Sequence, residues 1–257
     1  MPRFNAHLGY QFTEFEALER FAQAAKAGFK AVEWPAVYAY SPQQLRDLID
    51  AHGLQWVQVT LPFGDTSRGE KGMAAIPGRE AEFREGLVSA IEYAKVLGAR
   101  WIHPMAGVVG AWDATVRTTY LANIALAIEL AADNGLGTLI EVIGEGEVPG
   151  YAMRTYERAE QVIAEPGCES LRLIYDTYHA QNITGDVIGQ FLRLKNHIGH
   201  IQVADVPGRH EPGTGGIDFA SFFAEVDRSG YPGWIGCEYK PTATTLAGLP
   251  WMERFKN

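Results

Sequence analysis

Cysteine is scarce in this chain of 257 residues, which contains only Cys168 and Cys237. Two cysteines without a paired spacing form no disulfide framework and no zinc-binding motif. The first residues also lack the basic and then apolar layout of a signal peptide. We therefore expect a cytoplasmic protein that depends on an ordinary hydrophobic core.

Basic residues and long apolar runs are also in short supply. The chain has 22 Lys and Arg against 31 Asp and Glu, which gives a formal net charge of −9. This excess of negative charge disfavours nonspecific binding to nucleic acid or to an anionic membrane surface. No apolar run approaches the roughly 18 residues that a transmembrane helix needs. These absences predict a soluble protein whose partner is a small molecule, with neither nucleic acid nor membrane as a partner.

A dinucleotide-binding motif of the type G-x-G-x-x-G is missing after the first strand-like segment. Strand-like and helix-like segments nevertheless alternate from end to end, which predicts a parallel sheet with helices outside it. Eight such units in 257 residues match the size of a (β/α)8 TIM barrel. We predict the α/β class and one barrel domain over residues 1–257, with a doubly wound open sheet as the alternative.

Local signals predict where several elements begin and end. A helical pattern runs from Glu14 and stops before Gly28, and Pro42 follows Ser41, a good N-cap, at the start of a helix that reaches His52. A long helix is expected over 80–97, closed by a glycine. Residues 55–61 read as a single strand.

Acid or amide side chains close four of the predicted strands. They are Glu141, Asp176, Gln202 and Glu238. The carboxyl ends of parallel strands meet at one mouth, and oxygen donors gathered there favour Mg2+ or Mn2+ over Zn2+. Any one of them could instead cap the next helix. Four on separate strands favour a metal site or an acid/base site.

Glu141 and Glu238 belong to the fifth and eighth predicted strands, on roughly opposite sides of an eight-stranded circle. Two carboxylates that face each other across a small substrate can remove a proton on one side and return one on the other. An aldose-ketose isomerase or an epimerase needs this arrangement. A metal between them would polarise the oxygens of the substrate.

Further polar residues are candidates for substrate contact. His179 follows the sixth strand and could bind a substrate hydroxyl, although it could also cap the next helix. His103 and Glu33 end the fourth and second strands, and each either lines the pocket or supports another site residue. A substrate carboxylate would need a cation, for which the candidates are Arg79, Arg209 and Lys240, with Lys240 in the best position on the sequence.

Several longer motifs carry a resemblance that spans nearly the whole chain. They are AGFKAVE over 27–33, RGEKGMAAIPGRE over 68–80, DTYHAQ over 176–181, HIQVADVPGRHEPGTG over 200–215 and GWIGCEYKP over 233–241. Together they resemble the hydroxypyruvate isomerase family within the xylose-isomerase-like barrel superfamily.

The resemblance implies an isomerase of a short hydroxy or keto acid that works through an enediolate. The family interconverts hydroxypyruvate and tartronate semialdehyde, and close relatives isomerise 2-oxo-tetronates. It also implies that Glu141 and Glu238 are the proton donor/acceptor pair, and that these two residues with Asp176 and Gln202 bind a divalent metal. Not all family members need that metal.

Two departures bear on the choice of substrate. Related ketose 3-epimerases have His where this chain has Gln202, and an Arg six residues later, whereas Arg209 here comes seven residues later. This favours the isomerase, with a ketose 3-epimerase of a longer uncharged sugar as the alternative. Residues 34–38 read WPAVY in place of the aromatic segment usual in relatives, which leaves the substrate open.

The sequence also bears on two other functions and on the oligomeric state. An apurinic-site endonuclease would need clustered His ligands and a basic face, and neither is present. A non-catalytic binding protein would have no need for two opposed glutamates. A homo-oligomer is compatible with the sequence, which does not fix the assembly.

Overall fold

The computed structural model describes residues 2–165 and 167–255. The chain divides into two compact units. Unit one comprises Met1–Ala36, Gln44–Val57 and Tyr175–Asn257, and unit two comprises Val37–Gln43 and Gln58–Ile174. The single domain over 1–257 stays a prediction.

The strands alternate with helices along the described residues. The strands are β1 (Phe4–His7), β2 (Ala31–Glu33), β3 (Gln55–Trp56), β4 (Gln58–Thr60), β5 (Trp101–His103), β6 (Gly137–Glu141), β7 (Arg172–Asp176), β8 (Ile198–Gln202) and β9 (Ile235–Cys237). The α-helices are α1 (Glu19–Lys26), α2 (Pro42–His52), α3 (Glu80–Leu97), α4 (Ala114–Asp133), α5 (Tyr156–Ile163), α6 (Thr177–Thr184), α7 (Val187–Leu194), α8 (Phe219–Arg228) and α9 (Thr245–Gly248). Short 3-10 helices cover Val37–Ala39, Thr66–Arg68 and Leu249–Phe255.

All strand pairs within each unit are parallel among the described residues. In unit one the order is β3-β2-β1-β9-β8. In unit two β6 lies between β5 and the first part of β7, and β4 pairs with β5. Parallel neighbours point their carboxyl ends the same way, so residues that end the strands of one unit share one edge of its sheet.

Most of the predicted boundaries are confirmed. The helix from Pro42 to His52 and the helix from Glu80 to Leu97 have the expected limits, and Gly98 closes the second in a left-handed conformation with φ 68°. Strands end at the predicted acid or amide residues Glu33, Glu141, Asp176 and Gln202. Glu238 lies one residue beyond β9, where its N–H donates to the carbonyl of Gly236.

Two predicted boundaries are wrong. The first helix begins at Glu19 instead of Glu14, because the Glu14 carboxylate accepts hydrogen bonds from the N–H and the hydroxyl of Thr245 and its segment forms turns. The strand expected over 55–61 is two strands, of which β3 pairs with β2 and β4 pairs with β5. Periodicity alone does not show this division at Val57.

No helix among the described residues combines the length and the apolar character of a membrane span.

An aromatic cluster forms part of the core of unit one. The ring of Phe222 on α8 lies 5.4 Å from that of Phe191, 5.5 Å from that of Phe223 and 6.2 Å from that of Tyr175, measured between centroids. Phe222 is fully buried. The cluster therefore joins α7 and α8 to the end of β7.

Replacing Phe222 with Ala should destabilise the protein by about 3–5 kcal/mol, because it removes a buried ring and leaves a cavity. Denaturant unfolding followed by circular dichroism measures the change. Leu192→Ala is the matched control, since Leu192 is 40% exposed on the neighbouring helix α7. Equal losses in both variants would show that the ring does not contribute as described.

Candidate active site

The strand ends of unit one bring a set of ionisable and amide side chains together. The set consists of the last residues of four strands, His7 of β1, Glu33 of β2, Asp176 of β7 and Gln202 of β8, together with Glu238, which follows β9. His7 pairs in register with Glu33, and Gln202 pairs with Gly236, two residues before Glu238. The Glu238 side chain is 14% exposed, whereas that of Asp176 is fully buried. Glu238 is therefore the more accessible of these two acids.

The guanidinium of Arg209 links two of these acids. Its Nη2 donates to Oδ2 of Asp176 at 3.1 Å and to Oε1 of Glu238 at 2.8 Å. The guanidinium carbon lies 5.2 Å from the ring centroid of Tyr10 and 5.0 Å from that of Tyr178. Ion pairs and cation-π contacts together fix the buried positive charge between the two carboxylates.

Asp205 organises the loop that carries Arg209. The Asp205 carboxylate, itself buried, accepts hydrogen bonds from four backbone N–H groups, those of Val206, Gly213, Gly215 and Ile217. Arg209 has a left-handed backbone with φ 58°, which costs an L-residue about 1–2 kcal/mol. Its carbonyl accepts from the N–H of Lys240 at 2.7 Å. These bonds hold a strained residue in the conformation that points its side chain to the acids.

Glu33 connects two residues of β8. Its Oε2 lies 2.8 Å from Nε2 of His200, and its Oε1 accepts from Nε2 of Gln202 at 3.2 Å. All three side chains are buried. Within residues 2–165 and 167–255, Oε1 of Gln202 has no hydrogen-bond partner. The NH2 group of the Gln202 amide is therefore bonded to Glu33, and its carbonyl oxygen can accept a bond from a ligand.

His7 lies beside Glu238, with its Nε2 4.0 Å from Oε1 of that residue. Burial lowers the pKa of His7 to about 4. The positive charge of Arg209 also lowers this pKa, whereas the negative charge of Glu33 raises it. The imidazole is therefore neutral at pH 7. His7, Glu33 and Glu238 each offer a ligand atom within 4.8 Å of the others.

The donor set of unit one suits a hard divalent cation. Asp176, Gln202 and Glu238 offer carboxylate and amide oxygens, and the unpartnered Oε1 of Gln202 is a group that a cation would satisfy. These residues fit Mg2+ or Mn2+. The metal itself and the ligand set predicted from the sequence stay predictions.

Asp176 has two separate contacts. Its Oδ1 accepts from the N–H of Tyr178 and so caps α6, while its Oδ2 faces Arg209. Nε2 of His179, in the first turn of α6, lies 3.7 Å from the same Oδ2. The helix-capping interpretation thus accounts for one oxygen of Asp176 only.

Unit two holds the other predicted acid, Glu141. Oε2 of Glu141 at the end of β6 lies 3.9 Å from Nε2 of His103 at the end of β5, and both side chains are buried. The hydroxyl of the buried Tyr151 accepts from the N–H of Ala106. Burial and the negative charge of Glu141 raise the pKa of Tyr151 well above its usual value. Glu141 is therefore a buried acid with an imidazole and a neutral phenol among its neighbours.

The three candidate cations have different positions. Arg79, in unit two, forms ion pairs with Glu82 at 2.6 Å and Glu70 at 2.7 Å, which raise its pKa. The side chain of Lys240 is exposed, while its backbone N–H donates to the carbonyl of Arg209 and its carbonyl accepts from Nδ1 of His210. Among the three, Arg209 is the one that the structure brings to strand-end acids of unit one. The substrate-binding roles of all three stay predictions.

Several residues of the site were not found from the sequence. His7 lies outside the motifs that carry the resemblance. His200 begins the motif over 200–215, and because it alternates with Gln202 on β8 it shares the face of that residue. Tyr10, Tyr178 and Asp205 carry no sequence signal for their contacts with Arg209 and its loop. These contacts depend on the conformation of the loop that carries Arg209.

The model of the family described as xylose isomerase-like TIM barrel matches residues 21–255. The chain belongs to this family. Membership confirms the predicted α/β TIM-barrel fold, since the matched segment covers nearly all of the chain.

Three relatives of this family are similar over the full length. The chain is 43% identical to the 2-oxo-tetronate isomerase of Cupriavidus necator over 99% of each chain. It is 38% identical to the hydroxypyruvate isomerase of Escherichia coli K12 over 100% of each. A solved crystal structure named AP endonuclease, family 2, from Brucella melitensis is 35% identical, with a TM-score of 0.96 and full coverage of both chains. The two isomerases confirm the resemblance and the prediction that the chain is an isomerase.

Asp205→Asn should destabilise the protein by about 1–3 kcal/mol, because an amide nitrogen would then face backbone N–H groups that have lost their acceptor. The shift of the thermal unfolding midpoint measures the loss. Asp218→Asn is the control: Asp218 caps α8, and Asn caps a helix equally well. A Tm as high for Asp205→Asn as for the control would contradict the role of Asp205.

Proposed function

We propose that this isomerase interconverts a short 2-keto acid and the isomer that carries the carbonyl at C3, either hydroxypyruvate with tartronate semialdehyde or a 2-oxo-tetronate with its 3-oxo isomer. The proposal rests on one observation: the Glu238 carboxylate is partly accessible, and the guanidinium of Arg209 fixes its position. A fixed carboxylate beside a guanidinium suits a substrate whose own carboxylate adjoins the reacting carbons. The names of the two full-length relatives support the same substrate class.

The reaction moves one proton between carbon atoms and one between oxygen atoms. For hydroxypyruvate, a glutamate removes a proton from C3, and the electron pair of the C–H bond forms the C2–C3 double bond of an enediolate. A proton then adds to C2, so that C3 becomes the aldehyde and C2 carries the hydroxyl. No external oxidant is needed, because C3 is oxidised as C2 is reduced.

Glu238 of unit one and Glu141 of unit two are the proposed acid and base. The sequence predicts that they act as a pair, and Glu141 is a buried carboxyl group that lies 3.9 Å from the imidazole of His103. A divalent cation held by the predicted ligands would stabilise the negative charge that develops on the substrate oxygens. His179 would bind a substrate hydroxyl.

Glu141→Gln and Glu238→Gln should each reduce exchange of the C3 protons of hydroxypyruvate with D2O by at least about 100-fold, because an amide cannot accept the proton. Proton NMR measures the exchange. Glu82→Gln is the control, since Glu82 pairs with Arg79 on the surface of unit two. Normal exchange in both strand-end variants, with the fold intact, would contradict the proposal.

Arg209→Gln should lower kcat/KM for hydroxypyruvate by about 10-fold to 100-fold, because a charge-assisted hydrogen bond contributes about 1.5–3 kcal/mol. Lys240→Gln is the matched control and should stay within about threefold, since an exposed charge contributes little. Steady-state kinetics of both variants give the comparison. A larger loss of kcat/KM in Lys240→Gln than in Arg209→Gln would show that Lys240, and not Arg209, binds the substrate carboxylate.

The cytoplasmic location and the homo-oligomeric assembly stay predictions. A small-molecule substrate follows from membership among these isomerases.

A further inference from the structure

We propose that Glu33 is a positioning residue that fixes the orientation of the Gln202 amide, so that Oε1 of Gln202 is the atom offered to a divalent cation. The inference rests on the metal-assisted form of the proposed function. It assigns a role to the buried pair His200 and Glu33, to which the proposed proton transfer gives none.

The first step is the direction of the hydrogen bonds at Glu33. The Glu33 carboxylate is 1% exposed, and its two oxygens face His200 and Gln202 separately. An ionised carboxylate only accepts hydrogen bonds, so the group that faces it must donate. The NH2 end of the Gln202 amide therefore faces Glu33, and the ring N–H of His200 holds the opposite oxygen of the carboxylate.

The second step is the other end of the amide. Because the amide is planar, fixing its NH2 group also fixes its carbonyl oxygen. This Oε1 is buried without a hydrogen-bond partner in the part of the chain that the structure describes. A buried carbonyl in this state costs about 1–3 kcal/mol. A bound cation would remove that cost.

The third step is that the lack of a side chain at Gly236 leaves space for Glu33. Glu33 ends β2 and Gln202 ends β8, and the strands β1 and β9 lie between these two. A Cβ atom at Gly236 on β9 would come within 2.0 Å of Oε1 of Glu33 and within 3.0 Å of Cγ of Gln202. Only glycine at position 236 leaves room for the Glu33 side chain to reach the amide.

A cycle of two substitutions tests the orientation directly. Glu33→Gln should weaken Mn2+ binding by about 10-fold to 100-fold, the usual effect of losing a partner that orients a metal ligand. His200 still donates, so the carbonyl of the new amide faces His200 and its NH2 faces Gln202, which must then turn its oxygen inward. Gln202→Glu should also weaken binding, because two carboxylates would then lie against each other.

The double variant Glu33→Gln/Gln202→Glu should restore Mn2+ affinity to within about threefold of the starting protein. Its new amide at 33 donates to the new carboxylate at 202, which keeps an oxygen for the metal. A role of Glu33 in packing alone gives no such recovery. Isothermal titration of the metal-stripped full chain with Mn2+ measures all four proteins without any turnover.

Two further variants secure the test. Gly236→Ala displaces Glu33 without altering either hydrogen-bonding group and should weaken Mn2+ binding as Glu33→Gln does. Glu14→Gln is the control: it removes the charge of a carboxylate that bonds Thr245 and not Gln202, and it should leave the affinity for Mn2+ unchanged. Thermal unfolding of each variant identifies any that fail to fold.

The outcomes separate this inference from the proposed function. Unchanged Mn2+ affinity in Glu33→Gln, or no recovery in the double variant, overturns the role of Glu33. A starting protein that exchanges the substrate proton but binds no Mn2+ overturns the inference and leaves the isomerase intact. The predicted binding pattern without proton exchange supports the inference and overturns the proposed function.

Discussion

The positive charge of Arg209 is the constraint on which the strand-end cluster of unit one depends. Asp176 and Glu238 approach a single guanidinium nitrogen, and a buried carboxylate without a partner would be strongly disfavoured. The two neighbouring tyrosine rings and the bonds to the backbone hold that charge in place. Removing it would leave two carboxylates uncompensated in a largely dry site.

The loop that carries Arg209 shows how the fold sustains this arrangement. Arg209 is held in a left-handed conformation that a free loop would avoid, and Asp205 gathers four backbone N–H groups around one buried carboxylate. The local strain is offset by hydrogen bonds a few residues away. Asp176 and Glu238 thus depend on a residue that a loop, and not a strand, holds in place.

The hydrophobic strands and their polar ends could be predicted from the sequence. Glu33, Glu141, Asp176 and Gln202 each follow an apolar run, and a parallel strand exposes its last residue at the same edge as its neighbours. Helix limits at Pro42 and Gly98 follow from local conformational preferences of proline and glycine. These features depend on short stretches of sequence.

The partners of those residues could not be predicted in the same way. The sequence favours Lys240 as the cation because it lies two residues after Glu238, but its side chain is exposed and Arg209 reaches the acids from a folded loop. The motif that begins at His200 does not indicate its contact with Glu33, which lies 167 residues away in the chain. Contacts of this kind arise from tertiary structure and leave no local pattern.

Proton NMR of the unmodified protein in D2O, with hydroxypyruvate beside fructose and tagatose, tests the central claim most directly. The account predicts that tartronate semialdehyde forms with deuterium at C2 and that the remaining hydroxypyruvate gains deuterium at C3, while both sugars stay unchanged. Epimerised sugar at C3 with unaltered hydroxypyruvate would contradict it.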